Sequence, residues 1–203
     1  MTIQIFVDGA CEPVNPGGIA TYGFVIYRDD EKITKGSGVV GHHDTSNNVA
    51  EYSAAIECFK WLLNNKLHDE LIVLKSDSEL LINQLNKFYA VRARRVRPLY
   101  EELKRLIEEM ERVTRDQRKL LKIKFEWIPR EENEEADALS RWAYEEFCAK
   151  NPDRLQRYAR YLASEKQKSF MKRLKIQIPP GLSKRMASRL IDARLEELKS
   201  RRE

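Results

Sequence analysis

Four acidic side chains stand out as a potential catalytic set, and two of them follow predicted strands. Asp8 ends the alternating run 3–8, and Asp77 directly follows the short apolar run 71–76. Runs of both kinds are typical of β-strands. If these strands are parallel neighbours, their carboxylates emerge at the sheet edge where open α/β sheets bind ligands. We therefore expect Asp8 and Asp77 to lie close together.

The other two carboxylates lie on predicted helices. Glu51 is near the start of a helix predicted over 46–64, in line with its apolar row, and Asp137 lies at the edge of the apolar stripe of a helix predicted over 131–149. A single acidic residue near a helix start is usually explained by the helix dipole, and one after a strand by turn formation. The joint pattern instead indicates one shared cluster.

A cluster of four carboxylates indicates hard divalent cations. The charges repel one another, and all four stay ionised only if cations share the site. Oxygen ligands favour Mg²⁺, with Mn²⁺ as a substitute, whereas the few histidines and cysteines are not spaced as zinc ligands. Two such ions about 4 Å apart are suited to phosphodiester hydrolysis.

The order of predicted elements is βββαβααβα. Residues 9–18 are rich in glycine and proline and predict a loop, after which runs 19–28 and 32–40 predict a hairpin. A helix begins near Pro98, and run 121–128 alternates as the last strand. This order predicts an α/β fold with a five-stranded mixed sheet flanked by helices.

Composition limits the class of protein. The chain has 203 residues, of which 34% are charged and 42% hydrophobic, and no apolar run is long enough to span a membrane. We see no signal peptide at the N-terminus. Three widely spaced cysteines predict no disulfide framework, which favours a reducing compartment such as the cytoplasm.

Charge divides the chain in two. Residues 1–149 carry a net charge of −5, whereas residues 150–203 carry +10. We expect a catalytic domain over 1–149 and a basic extension over 150–203, with helices predicted over 153–174 and 183–201. The basic extension favours a nucleic-acid partner. The apolar side of 183–201 must pack on the catalytic domain, on a second copy of the chain or on another protein.

Four stretches in order resemble the type 1 ribonuclease H family, most closely its archaeal-type branch. They are Val7-Asp8-Gly9-Ala10-Cys11 with Asn15-Pro16-Gly17-Gly18, Thr45-Ser46-Asn47-Asn48-Val49-Ala50-Glu51, Ser76-Asp77-Ser78, and Asn133-Glu134-Glu135-Ala136-Asp137. The resemblance covers residues 1 to about 149. It implies a ribonuclease H-like fold and cleavage of the RNA strand of an RNA–DNA hybrid, leaving 5′-phosphate and 3′-hydroxyl ends.

The same resemblance implies roles for particular residues. The four carboxylates would bind two Mg²⁺ ions, with Asp8 between both ions. The resemblance also places Asn15, Asn47 and Asn48 in the minor groove of the hybrid and Ser46 at a DNA phosphate. The 2′-hydroxyl marks the RNA strand at such contacts.

The chain departs from the family pattern in three places. Its first loop is one residue longer than the common bacterial form. The mobile histidine that many bacterial members carry before the last helix is missing, and Arg130 is the nearest polar candidate for a catalytic role, as a phosphate ligand rather than a base. The basic hybrid-binding segment is short here, and we expect Arg92, Arg94 and Arg95 to contact phosphates.

Two other functions compete with hybrid cleavage. A nuclease of the same superfamily could act on duplex RNA or on DNA junctions, although the asparagine features favour hybrids. A non-catalytic hybrid-binding module is the other alternative. A complete carboxylate set argues against it, because such repulsion is unfavourable without metal.

Overall fold

The computed structural model describes residues 1–41, 45–67, 71–116 and 121–200. Five strands form one sheet in the order β3-β2-β1-β4-β5. They are β1 (Thr2–Glu12), β2 (Ile19–Arg28), β3 (Glu31–Gly41), β4 (Leu71–Ser76) and β5 (Lys122–Trp127). Strands β1, β2 and β3 pair antiparallel, whereas β4 runs parallel to both β1 and β5. The predicted five-stranded mixed sheet is confirmed.

Helices follow the strands in the predicted order. The described residues contain α1 (Asn47–Asn64), α2 (Glu79–Leu85), α3 (Arg97–Asp116), α4 (Glu134–Lys150), α5 (Pro152–Leu155), α6 (Glu165–Arg173) and α7 (Lys184–Ser200). Short 3₁₀ turns precede α4 at Arg130–Glu132 and follow α5 at Gln156–Tyr161. Ser46 caps α1, because its hydroxyl accepts a hydrogen bond from the backbone amide of Val49.

Two layers of helix enclose the sheet. Successive residues of β1 point to opposite faces, so Ile3, Ile5 and Val7 lie buried on one face while Asp8 belongs to the other. The buried face packs against α1 and α3. Helix α4 packs against the opposite face, where its backbone approaches Gly23 of β2.

Strand β1 is longer than the sequence pattern predicts. Residues 9–12, which we expected to be loop, continue the antiparallel pairing with β2 as far as Glu12 opposite Ile19. Pairing with β4 stops earlier, at Phe6 opposite Lys75. Asp8 therefore lies inside β1 and not at its end, just beyond the last position that pairs with β4. It still adjoins the carboxyl end of β4.

The extension is helical, but the first of its two predicted helices is interrupted. Helix α5 continues into a 3₁₀ turn that ends just before Leu162. Leu162 forms an isolated β-bridge with Ser183, and the amide of Ala163 donates a hydrogen bond to the carbonyl of Leu182 at 2.7 Å. The amide of Ala163 is therefore not available for the hydrogen bond that it would make inside a continuous helix over 153–174. A separate small core follows, whose buried members include Met171 and Ile191.

The predicted helix over 183–201 forms as α7. Its apolar residues Leu190, Ile191 and Leu195 pack in the same small core of the extension. Within the part of the chain that the structure describes, no helix is both long and apolar enough to cross a membrane.

Candidate active site

One cleft beside the carboxyl end of β4 collects the four predicted carboxylates. Its volume is about 200 Å³, and Asp8, Glu51, Asp77 and Asp137 all line it. Asp8 lies on β1, Glu51 on α1 and Asp137 on α4, whereas Asp77 directly follows β4. These elements are far apart along the chain. The fold therefore brings the predicted set together in a common pocket open to solvent.

Asp8 is the most central of the four. Its pKa is raised to about 6, mainly by burial and in smaller part by the charges of Asp77 and Asp137, while a hydrogen bond lowers it. That bond comes from the Ser140 hydroxyl of α4, which donates to Asp8 Oδ2. The shift shows that Asp8 lies within electrostatic range of its acidic neighbours.

Glu51 lies beside Asp8 because α1 approaches β1 very closely. A side chain at Gly9 would collide with the backbone of α1 at Ala50 and Glu51, so this approach requires glycine. The Ser78 hydroxyl donates to Glu51 Oε2 at 2.5 Å. The pKa of Glu51 is raised to about 7, mainly by burial and in smaller part by the charges of Asp8 and Asp77, while the hydrogen bond from Ser78 lowers it.

Asp77 is oriented by a side chain from the loop before α4. Asn133 is buried, and its Nδ2 donates to Asp77 Oδ1 at 2.8 Å and to the carbonyl of Val7 at 3.0 Å. The indole of Trp127 donates to the Asp77 carbonyl at 3.2 Å. Asn133 thus connects the carboxylate that follows β4 to the strand that carries Asp8.

Asp137 differs from the other three because it is ion-paired. Arg130 Nη2 lies 2.7 Å from Asp137 Oδ1, and Arg141, one turn along α4, pairs with Oδ2. The carboxylate of Asp137 raises the pKa of Arg130, so the guanidinium stays charged. Helix α4 reaches this position because Gly23, opposite Asp8 in the sheet, leaves room for its backbone.

The donor chemistry of the cleft fits hard divalent cations. Among the residues that the structure describes, no three acidic, histidine or cysteine side chains are close enough to form a preassembled metal site. Yet the four predicted carboxylates share the cleft with Glu12, and repulsion among the four contributes to the raised pKa values of Asp8 and Glu51. A bound cation would relieve that repulsion, and oxygen ligands of this kind suit Mg²⁺ or Mn²⁺.

An adjoining groove contains most of the residues predicted to bind substrate. Its volume is about 760 Å³, and its lining includes Asn15, Ser46, Asn48, Arg94 and Arg95. The groove brings the N-terminus of α1 next to the basic segment that precedes α3. Polar amides and guanidinium groups thus face one open space.

The two remaining predicted binding residues lie elsewhere. Asn47 lines the carboxylate cleft, and its backbone amide donates to Asn15 Oδ1 at 3.1 Å, which connects the cleft to the groove. Arg92 is exposed on the basic segment but lines neither the cleft nor the groove.

Sequence reasoning missed the residues that hold the carboxylates in place. Ser78 and Asn133 were within the stretches that carried the family resemblance, but neither was assigned a role in the site. Ser140 and Arg141 lie three and four residues after Asp137, which is the spacing of neighbours on one helix face. That spacing was the one available signal for these two residues.

The fold is that of the ribonuclease H class of nucleases. The family described as reverse transcriptase-like matches residues 6–143, and the chain belongs to it. The resemblance to type 1 ribonuclease H predicted from the sequence is confirmed. The chain is accordingly a nuclease of the ribonuclease H type.

Individual relatives agree with this assignment. LC11-RNase H1, isolated from compost, is 31% identical, with a TM-score of 0.55 over 70% of this chain and 94% of that one. RNase H1 from the halophilic archaeon Halobacterium salinarum shares the fold at 24% identity, with a TM-score of 0.60 over 72% of this chain and 99% of that one. A protein of Enterococcus faecalis with the name "Putative hydrolase EbsB" is 27% identical over 71% of this chain and 96% of its own length.

Proposed function

We propose that this chain is an endonuclease that hydrolyses the RNA strand of RNA–DNA hybrids by a two-metal-ion mechanism. The products would carry 5′-phosphate and 3′-hydroxyl ends. The observation that carries the proposal is the meeting of four carboxylates from four separate elements in one cleft, beside a groove of asparagines and arginines. The metal would be Mg²⁺, with Mn²⁺ as a substitute.

The carboxylates would divide the work of holding two ions. Bound Mg²⁺ supplies activation of the attacking water and stabilisation of the leaving oxygen. Asp8, the central carboxylate, would hold both ions, Asp137 the ion that activates water, and Glu51 with Asp77 the ion next to the leaving oxygen. Ser140, Ser78 and Asn133 orient three of these carboxylates through hydrogen bonds.

Arg130 takes a phosphate-binding role in this proposal. Its guanidinium lies at the mouth of the cleft, 65% exposed, while it contacts Asp137. A permanently charged planar donor can bind phosphate oxygens in a bidentate manner, but it cannot remove a proton from water at neutral pH. Arg130 would therefore stabilise charge on the reacting phosphate, and activation of the water would fall to the metal site.

The adjoining groove supports a hybrid as the substrate. Amide side chains at Asn15, Asn47 and Asn48 can donate to and accept from sugars and base edges, and the 2′-hydroxyl distinguishes RNA from DNA at such contacts. Ser46 and Arg94 face the same groove, where they can bind a phosphate of the second strand. A structure of the related LC11-RNase H1, 29% identical with a TM-score of 0.57, is of its complex with an RNA/DNA hybrid.

We assign the catalytic unit to residues 1–149 and treat 150–203 as an accessory extension. The apolar residues of α7 pack in the core of the extension itself, which is none of the three partners expected from the sequence. We therefore favour this arrangement over self-association or a protein partner through residues 183–201. The three cysteines are free and buried, which supports our expectation of a reducing compartment, the cytoplasm.

Cleavage of end-labelled substrates tests the proposal. The native chain should cleave the RNA strand of a hybrid only when Mg²⁺ or Mn²⁺ is present, and duplex RNA and duplex DNA should stay intact. Asp8→Asn and Asp77→Asn should each lower kcat by about 10³-fold or more while hybrid binding persists. Asp153→Asn, an exposed aspartate on α5, is the matched control and should keep native activity.

Three results would overturn the proposal. One is a native rate in both cleft variants, which would remove the carboxylates from the mechanism. Another is preferred cleavage of duplex RNA or of junction DNA, which would transfer the chain to another activity of the same fold. Metal-independent binding with no product at any Mg²⁺ concentration would identify a binding module instead.

A further inference from the structure

Helix α7 of the extension brings two arginines to the carboxylate cleft. Arg185 and Arg189 lie one helical turn apart, so they project from the same face of α7. Both line the cleft that holds Asp8 and the other carboxylates, and both are exposed. Part of the rim of the candidate active site therefore comes from outside the stretch that resembles ribonuclease H.

Contacts with the catalytic unit hold α7 in this position. Arg185 Nη2 lies 3.2 Å from Glu12 Oε1 at the end of β1. The hydroxyl of Tyr144 on α4 donates to the carbonyl of Gly181 at 2.7 Å, just before α7 begins. On its other side, α7 buries Ala187 and Ile191 in the core of the extension. Helix α7, which carries the two arginines, is thus held by the catalytic unit on one side and by the core of the extension on the other.

Neither arginine of α7 forms an ion pair with the four predicted carboxylates. Arg130 and Arg141 both pair with Asp137, as expected of cations that neutralise the cleft. Arg185 pairs with Glu12 on the rim of the cleft, whereas Arg189 makes no ion pair or hydrogen bond with any residue in the described ranges. Two exposed guanidinium groups beside a cleft for phosphodiester chemistry are suited to binding backbone phosphates.

We propose that Arg185 and Arg189 form a phosphate-binding site that holds the substrate backbone next to the carboxylate cleft. This inference rests on the proposed function, because it identifies the ligand as the backbone of the nucleic acid that enters that cleft. The site would extend the binding surface from the groove at the start of α1, across the cleft, to the extension. The extension would then contribute to substrate affinity and leave the chemical step to residues 1–149.

Binding of a fluorescently labelled hybrid tests the site directly. Anisotropy titrations of the full chain over a salt series would use Asp8→Asn, so that hydrolysis does not interfere. Adding Arg185→Ala and Arg189→Ala should raise Kd about tenfold and reduce the slope of log K against log salt by about 1 to 2. In the active chain, the same two changes should raise KM and leave kcat within about twofold.

Two matched controls separate phosphate contact from other effects. Lys166→Ala with Lys172→Ala removes the same charge from exposed positions of α6 that do not line the cleft, and it should change the salt slope much less. Glu12→Gln breaks the ion pair with Arg185 but keeps both arginines, and it should preserve tight binding.

Three outcomes would overturn the inference. If the arginine and lysine double variants had the same Kd and salt slope, the effect would depend only on the total charge of the chain. Tighter binding or a lower KM after loss of the arginines would mean that α7 obstructs the cleft. A fall in kcat at constant KM would place the arginines in the chemical step. Failure of the proposed function can be distinguished from failure of this inference. In that case the native chain would give no metal-dependent product, while the anisotropy titrations would still report on phosphate binding.

Discussion

Replacing Asp8 with asparagine should stabilise the protein when no divalent metal is present. Asp8 is a buried carboxylate whose pKa is raised to about 6, mainly by burial and then by the charges of Asp77 and Asp137. Its ionised form is therefore unfavourable in the folded chain. Asparagine has nearly the same shape, carries no charge, and keeps an oxygen that can accept the hydrogen bond from Ser140.

The size and sign of the effect follow from proton linkage. The folded pKa lies above the unfolded value of 3.8, so the folded state binds more protons between these two values. The stability that Asp8 contributes is complete below about pH 4 and is lost as the pH rises through about 6. Two pKa units correspond to about 3 kcal/mol. At pH 8 the variant should gain up to about 3 kcal/mol, and at pH 4 close to none.

Thermal unfolding in EDTA measures this difference. A gain of this size should raise Tm by about 2–4 °C per kcal/mol in a protein of this length. The Tm difference between Asp8→Asn and the native chain should grow from pH 4 to pH 8, whereas Asp153→Asn should follow the native chain throughout. Added Mg²⁺ should raise the Tm of the native chain more than that of Asp8→Asn. A variant that is no more stable at pH 8 than at pH 4, relative to native, would refute the reasoning.

Two further predictions concern the arginines of the catalytic unit. Changing Arg92, Arg94 and Arg95 together to alanine should raise KM and flatten the salt dependence of KM with little change in kcat, because these residues would contact phosphates away from the cleft; an unchanged salt slope in steady-state assays would contradict this. Arg130→Ala should lower kcat by about 10²-fold, and Arg130→Lys should recover only part of the rate, because lysine keeps the charge but lacks the planar fork of donors. Native kcat in Arg130→Ala would limit its role to the ion pair with Asp137.

Local sequence patterns were sufficient to predict the architecture of the sheet. The alternation of 3–8 and of 121–128 is a short-range signal that the structure matches. The length of β1 was not predictable in this way. Residues 9–12 include glycine and precede proline, which is a loop pattern, yet pairing with β2 keeps them extended. Long-range pairing also interrupts the extension at Leu162.

In the candidate site, too, some features could be predicted from the sequence and others could not. Each carboxylate alone has an ordinary explanation in a turn or at a helix start, so the set could be recognised only as a joint pattern. The assembly of the set followed from the order of the predicted elements. The hydrogen-bond partners could not be recognised, because serine and asparagine have ordinary capping roles at such positions. Ser78 illustrates the difficulty, since its hydroxyl both caps α2 and donates to Glu51. The arginines of α7 lay outside every recognisable motif.

Backbone packing, more than side-chain pairing, sets the spacing of the carboxylates. Asp8 has Gly9 as its neighbour in β1 and Gly23 opposite it in β2, and each glycine admits the backbone of one helix, α1 or α4. Those two helices carry Glu51 and Asp137. Hydroxyl and amide donors orient Asp8, Glu51 and Asp77 without neutralising them, whereas arginines neutralise Asp137. The fold itself thus holds these negative charges together. Because no lysine or arginine among the described residues forms a direct ion pair with Asp8, Glu51 or Asp77, the arrangement favours cations taken from solution.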